Sequence, residues 1–321
     1  MRPSAPPRRV GGIGDDEEDA SGAASVVGSN GACFIVSSTP EVTRHPWNRN
    51  FEWEPHRGPL RRLTVEQAEQ FDQLGYVVLE DIFSEEELAP VVEAIDRLES
   101  ETDKTLSDHV DGRLGIAEKG AITFTSHPVQ LDATARRFAM RRVFADLCHD
   151  LVGPDARLYH DQAVYKKPEK PRRFPWHQDN GYEFIEPQQY LTCWVALTDA
   201  TVDNGCPQVV PGLHLLGTLA HRYVEPLGWE IFQDHPDAVA APVGKGGIVV
   251  FSSLTPHLTG PNLTDDVRKA YILQFAPLGA EALVGDSSSD APPVRVLADD
   301  ERRQFAVLIN EQPVAGVGAG P

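Results

Sequence analysis

The chain predicts a mainly β fold with supporting helices, and three features carry that expectation. Two helix starts marked by capping boxes lie in the first third. The second half is a succession of short segments rich in β-branched and aromatic residues. Those segments are separated by turn sequences such as Asp203-Asn204-Gly205, Pro211-Gly212 and Gly244-Lys245-Gly246-Gly247. Short strands behind a helical N-terminal third point to an antiparallel sandwich or barrel carried on helices. With 321 residues, 41% of them hydrophobic, the chain can bury a sizeable core in one large domain with extensions.

Residues 1–45 are rich in Gly, Ala, Ser and Pro around an acidic cluster and cannot bury enough apolar surface to offset their ordering entropy, so a disordered tail is expected. Residues 46–63 mix aromatics and prolines with Arg57, Arg61 and Arg62, which suggests an extended arm on the surface. Thr64-Val65-Glu66-Gln67 is a capping box, and its helix aligns Ala68, Phe71 and Leu74 before Gly75 stops it. A strand over 76–79 follows. Ser84-Glu85-Glu86-Glu87 opens a second helix with a stripe of Leu88, Val91, Val92, Ile95 and Leu98.

Residues 101–126 read as irregular, with a short strand over 121–124, and residues 135–151 as one helix closed by Gly153-Pro154. The period then changes to two. Strands are expected over 158–165, 190–198, 207–210, 247–252 and 269–276, with His160, Gln162 and Val164 sharing one face of the first. The long connection 212–240 suits a lid, and the end of the chain, 281–321, reads as an extension with a short helix over 299–308.

A net charge of −19 disfavours nucleic acid and anionic membranes as partners, since both need a positive footprint. Cys33, Cys148, Cys193 and Cys206 form no Cys-x-x-Cys pair, which fits free thiols in a reducing compartment. No run reaches the ~20 apolar residues of a membrane helix, and the N-terminus lacks the apolar region of a signal peptide. A cytoplasmic protein acting on a small molecule is the expectation.

The chemistry centres on Trp176-His177-Gln178-Asp179-Asn180-Gly181-Tyr182. In an extended segment, residues two apart share a face, so His177 and Asp179 can converge on one ion. Two neutral imidazoles and one carboxylate, with the other positions open, suit non-haem Fe(II) oxygen chemistry. On its own the tripeptide is better explained as a histidine hydrogen-bonded beside an aspartate in a turn, so a third ligand decides. Of eleven histidines, His45, His56, His109, His127 and His149 lie in the tail or arm or at helix ends. His257 follows the apolar strand Ile248-Val249-Val250-Phe251 at a strand mouth, His214 is its rival, and His160 is a core histidine or a donor to a ligand. Arg268 begins a buried strand, which is costly unless the residue is paired. Its fork suits the carboxylate of a small-molecule cosubstrate, or a salt bridge to Asp265 or Asp266.

With these pieces in place the chain resembles the phytanoyl-CoA dioxygenase family of Fe(II)- and 2-oxoglutarate-dependent oxygenases. The resemblance is carried by Asp161-Gln162 through Lys167-Pro168, Trp176-His177-Gln178-Asp179, Trp194-Val195-Ala196-Leu197-Thr198-Asp199-Ala200, Asn204-Gly205-Cys206, Val210-Pro211-Gly212-Leu213-His214, and His257 through Asn262 to Arg268. It covers residues 64–280 and implies a double-stranded β-helix, the cupin-like jelly roll.

The resemblance implies His177, Asp179 and His257 as iron ligands and Arg268 as the clamp on 2-oxoglutarate. It places Thr259 beside the same carboxylate, and Trp194 and Gln162 on the walls of the cosubstrate pocket. His214 falls in a turn motif that is structural in the family. The implied reaction uses Fe(II), 2-oxoglutarate and O2 to oxidise a substrate C–H bond, releasing succinate and CO2. The carboxylate at Asp179 favours hydroxylation over halogenation, because the related halogenases carry a small residue there.

Unlike relatives that take acyl-CoA, the chain has one concentrated basic group, Lys166, Lys167, Lys170, Arg172 and Arg173, which reads as a solvated loop or an anion contact. Tyr182, Phe184 and the 213–240 segment are the expected substrate contacts. Two other readings keep the barrel: a metal-dependent isomerase or hydrolase using the ion as a Lewis acid, and a non-catalytic binding protein. Only the oxygenase needs a keto-acid clamp beside the ligands.

Overall fold

The computed structural model describes residues 26–27, 33–34, 39–55 and 58–314. They fall into two units, Met1–Ser38 and Thr39–Pro321. In the first, Val26–Val27 pairs antiparallel with Cys33–Phe34. The rest of the expected tail up to residue 38, and the expected C-terminal extension from 315, lie outside the described residues. Residues 39–45 do not behave as tail. Arg44 bridges Leu219, and the Ala220 and His45 amides bond the Thr43 and Thr218 carbonyls respectively, so neighbouring backbone satisfies a segment that composition alone leaves unpaired.

Both capping boxes form. Thr64 caps helix α1 (Val65–Leu74) and Ser84 caps α2 (Glu85–Ser107), each through reciprocal bonds with the residue three positions on. Gly75 closes α1 at φ 83, a left-handed position where a Cβ would meet the His214 ring and the Thr255 hydroxyl at 2.5–2.8 Å. Strand β1 (Tyr76–Leu79) lies between the two helices.

Three expectations are corrected here. Residues 101–107 are not irregular but continue α2, because Leu98 and Leu106 keep its apolar stripe in the core. An Arg113–Leu114/Ala117–Glu118 hairpin and β2 (Ile122–Ser126) follow. After α3 (Pro128–Leu131), the expected single helix is two, α4 (Ala133–Ala139) and α5 (Arg142–Leu151). Arg141 is extended at ψ 145, and the break lets Phe138 and Phe144 both pack on Phe83, with ring centroids 4.8 and 5.8 Å away. The expected helix over 299–308 is instead a strand, Ala306–Ile309. It pairs with the stretch of β3 (Ala156–Lys166) around Ala156 and Arg157, where an open strand edge outweighs local helix propensity.

The remaining labelled strands are β4 (Leu191–Ala196), β5 (Pro207–Val209), β6 (Ile248–Ser252), β7 (His257–Thr259) and β8 (Arg268–Pro277). The main sheet runs β1-β6-β4-β8-β3-β2 and on into the Ala117–Glu118 hairpin, antiparallel throughout. A smaller sheet places β5 between Val239–Ala240 and β7. Alternation along the strands divides the residues. Leu191, Cys193, Val195, Ile248, Val250, Tyr271 and Leu273 pack with Leu88, Val91, Ile95 and Phe144 of the helices. Trp194, Val249, Phe251, Ala270 and Ile272 point the other way, into a second core with Cys206, Ala241 and Val243. The result is a jelly roll with helices on one face of the main sheet and a cavity on the other.

Candidate active site

The cavity opens on the face that carries the even-numbered residues of β3, β4 and β8. Gln162 and Val164 come from β3, Thr192 and Trp194 from β4, and Ile272 from β8, while Phe251 of β6 and Thr259 of β7 complete the wall. His177 and His257 are held together by their own backbones. Each amide donates to the other's carbonyl, at 2.9 and 2.8 Å, so two segments eighty residues apart in sequence are clamped side by side. Asp179 begins a 3₁₀ turn, Asp179–Gly181, just beyond.

One ligand-type atom from each of His177, Asp179 and His257 lies within 4.8 Å of the others. The Asp179 Oδ1 atom is 3.8 Å from His177 Nε2 and 3.7 Å from His257 Nε2. Both imidazoles have a fixed tautomer: the Nδ1–H of His177 donates to the Pro175 carbonyl at 2.8 Å, and that of His257 to the Thr255 carbonyl at 3.0 Å. A carbonyl can only accept, so each Nε2 presents a lone pair toward Asp179. Burial, and then the neighbouring His257, push the His177 pKa well below the ordinary histidine value, which favours the neutral, ligating form. The donor set fits a divalent transition metal.

Arg268 is 1% exposed at the start of β8, and none of its three guanidinium nitrogens has a hydrogen-bond partner. The salt bridge to Asp265 or Asp266 does not form among the described ion pairs. The guanidinium carbon instead sits 5.0 Å over the Trp194 ring. Burial lowers the Arg268 pKa to about 9, which still leaves it a cation at neutral pH. A buried cation without a counter-charge is costly and needs an anion.

The other expected residues divide. Tyr182 stacks on Phe174 at 15° with 6.2 Å between centroids and meets His177 edge-on at 5.2 Å, so it packs against two residues that line the cavity. Phe184 does not reach the cavity: it is buried under His45 and Trp47, 4.8 and 5.7 Å away, where it anchors the arm. His214 is fully buried, with Nε2 on the Asp72 carbonyl at 3.1 Å and its ring edge-on to Trp53, outside the ligand cluster. His160 lies beside His127, with ring centroids 4.9 Å apart, and is not a ligand.

The basic group is solvated only over Glu169, Lys170 and Pro171, and its charges are paired rather than free to hold an anion. Lys167 pairs with Glu99 at 2.8 Å, Lys170 and Arg172 with Glu118 at 3.1 and 2.9 Å, and Arg173 with the buried Glu230 at 2.6 Å. Lys166 is buried and donates to the carbonyls of Arg172, Thr259 and Gly260. That strut, next to Arg268 across the β3–β8 register, was missed because the sequence shows it only as one lysine in a run; the shared face of Gln162, Val164 and Lys166 was the available signal.

Thr192 was also missed. Its hydroxyl donates to Asp179 Oδ2 at 2.5 Å. The 212–240 segment is partly ordered by its own hairpin, Arg222–Val224 with Gly228–Glu230, and the Ile231 amide ties it to the Trp176 carbonyl.

Residues 71–270 match the family model for phytanoyl-CoA dioxygenase (PhyH). Methylphosphonate hydroxylase of Gimesia maris is 28% identical over 256 residues, spanning 76% of this chain and 88% of that protein. Phytanoyl-CoA dioxygenase of Arabidopsis thaliana is 24% identical over 249 residues, spanning 66% and 88%. Among solved structures, EvdO2 of Micromonospora carbonacea var. aurantiaca complexed with 2-oxoglutarate superposes with a TM-score of 0.54 at 26% identity, over 76% of this chain and 97% of that one. EctD from S. alaskensis with 2-oxoglutarate and 5-hydroxyectoine shares the fold, with a TM-score of 0.57 at 22% identity over 75% and 86%. With a family model matched over more than half its length and a His-Asp-His cluster in the cavity, the chain belongs to the phytanoyl-CoA dioxygenase family and is an iron- and 2-oxoglutarate-dependent oxygenase.

Proposed function

We propose that the chain hydroxylates a C–H bond of a small-molecule metabolite while 2-oxoglutarate is consumed to succinate and CO2. The observation that carries this reading is a His177, Asp179 and His257 set in one cavity whose wall residue Trp194 packs on a buried guanidinium, Arg268, that no carboxylate among the described residues neutralises. A Lewis-acid isomerase or hydrolase has no use for that cation, nor has a binding protein for the fixed Nε2 lone pairs.

In this reading His177, Asp179 and His257 hold Fe(II), and Arg268 holds the far carboxylate of 2-oxoglutarate with the Thr259 hydroxyl beside it. Trp194 keeps the guanidinium in place from its ring face, and Gln162 lines the same wall. Bound iron, with 2-oxoglutarate and O2, supplies the oxidant that removes hydrogen from the substrate. Phe124, Phe174 and Ile272 make the surrounding wall apolar, which excludes water from the reacting centre. Tyr182 stands where an entering substrate passes.

The paired state of the basic group argues against an acyl-CoA diphosphate in that place, and the methylphosphonate hydroxylase relative supports a small substrate. Among the described residues no helix is long and apolar enough to cross a membrane. Cys148, Cys193 and Cys206 are buried free thiols, in keeping with a cytoplasmic enzyme.

The test is oxygen-dependent succinate formation by purified protein supplied with Fe(II), ascorbate, 2-oxoglutarate and a metabolite panel. A product that gains one oxygen atom supports hydroxylation. One that loses two hydrogens or keeps its mass assigns desaturation, cyclisation or epimerisation instead. No succinate with any substrate and no 2-oxoglutarate binding by calorimetry would sink the oxygenase reading.

A further inference from the structure

We propose that Thr192 is the residue that positions the iron-binding carboxylate, holding Asp179 so that it presents one oxygen to the metal. The inference rests on the reading of His177, Asp179 and His257 as the metal ligands.

The two histidines are fixed locally. Each Nδ1–H is bonded to a carbonyl two residues earlier in its own segment, and their backbones bond each other. Asp179 has no such local anchor for its carboxylate among the described hydrogen bonds. It lies in a 3₁₀ turn outside the sheet, and its Oδ2 is held instead by Thr192, thirteen residues further on in β4. Thr192 itself cannot move easily. It is 1% exposed, and its strand is paired on both sides, to Phe251 of β6 and to Gln274 of β8.

An ionised carboxylate only accepts, so the hydroxyl must be the donor, and a short O–H···O⁻ bond of this kind is charge-assisted. With Oδ2 engaged, Oδ1 is the oxygen left facing both histidine Nε2 atoms. The hydroxyl therefore links the loop that carries two ligands to the rigid centre of the main sheet. Without it the carboxylate is free to rotate out of the cluster or to offer both oxygens to the metal. The methyl of Thr192 has no part in this, so serine should replace it and valine, of the same shape, should not.

The experiment titrates the metal-free full-length protein with Co(II), reading affinity by calorimetry and coordination by the visible absorption of the bound ion. Wild type, Thr192→Val and Thr192→Ser are compared, with thermal unfolding of the metal-free forms as the folding control. Thr192→Val should bind Co(II) about 10–100-fold more weakly with an altered spectrum, the loss typical when a ligand's hydrogen-bond partner is removed. Thr192→Ser should retain affinity and spectrum.

Wild-type affinity and spectrum in Thr192→Val would overturn the proposal, as would a Thr192→Ser protein that behaves like Thr192→Val. Should Thr192→Val fail to fold, Thr192→Ala removes the hydroxyl without crowding and is read against the same two outcomes. A wild-type protein that binds no Co(II) overturns the metal reading itself, which separates that failure from the failure of Thr192.

Discussion

The Arg268 guanidinium lies 5.0 Å over the ring of Trp194, a cavity-wall residue, and has no carboxylate partner among the described residues. A cation placed this way is destabilising until an anion arrives, so its two states should be separable. Replacing Arg268 with Met should weaken 2-oxoglutarate binding by about 2–5 kcal/mol, the loss expected when one member of a buried charged pair is truncated. The same change should leave the metal-free protein as stable as wild type or more so, because an uncompensated buried charge is gone. Calorimetric titration of 2-oxoglutarate and thermal unfolding of both proteins check the two halves; undiminished affinity in the variant would rule out the clamp.

His257→Ala should abolish Co(II) or Fe(II) binding, and His177→Ala should do the same, since each removes an Nε2 lone pair from the cluster. His214→Ala should bind metal normally while losing about 1–3 kcal/mol of stability, because it strips a buried hydrogen-bonded ring from between Trp53 and Asp72. Metal titration with denaturant unfolding on the three variants distinguishes ligand from scaffold; loss of metal in His214→Ala would reverse the assignment.

Buried His214 and half-buried His160, both outside the ligand set, should make stability fall on acidification. Burial pushes His214 down to about 4, and burial followed by the neighbouring His127 pushes His160 down to about 4. An exposed histidine in the unfolded chain titrates near 6.5. Between those values the unfolded chain binds more protons than the folded one, so these groups remove stability as the pH drops from about 6.5 to about 4, on the order of a few kcal/mol together. Unfolding free energies across that window should slope less in His214→Gln than in wild type. Identical slopes would show that His214 is not buried neutral.

Arg173, whose side chain is 31% exposed, pairs with Glu230, whose carboxylate is fully buried. Arg173→Met should therefore destabilise the fold by about 3–5 kcal/mol by stranding Glu230, and the added change Glu230→Gln should recover part of that loss. The KM for substrate should change little in the double variant. A large rise in KM with unchanged stability would return the basic group to the role of a substrate anchor.

Much of the fold and the donor types of the candidate site were legible in the sequence because they are written in local chemistry. Capping boxes at Thr64 and Ser84, the stop at Gly75 and the period-two faces of β3, β4 and β8 are all set by neighbours within a few residues. The convergence of His177 with Asp179 is only partly so, since Asp179 sits in a 3₁₀ turn and its carboxylate is held by Thr192 of β4. The failures share a physical origin. The strand at 306–309 exists because β3 offers an open edge, the break at Arg141 because two phenylalanines must reach one core, and Phe184 is turned away because the arm covers it.

By itself the sequence determined which side chains are of a type to hold a metal and which strands can carry them, since residue type and alternation are properties of short stretches. Only the tertiary structure decided that His177 and His257 share a backbone bridge, that Arg268 is left without a counter-charge, that Glu99, Glu118 and Glu230 neutralise the basic run, and that a threonine in β4 grips the Asp179 carboxylate. Those relationships join residues far apart in the chain, and each depends on whether a partner arrives within hydrogen-bond reach, which no local pattern encodes.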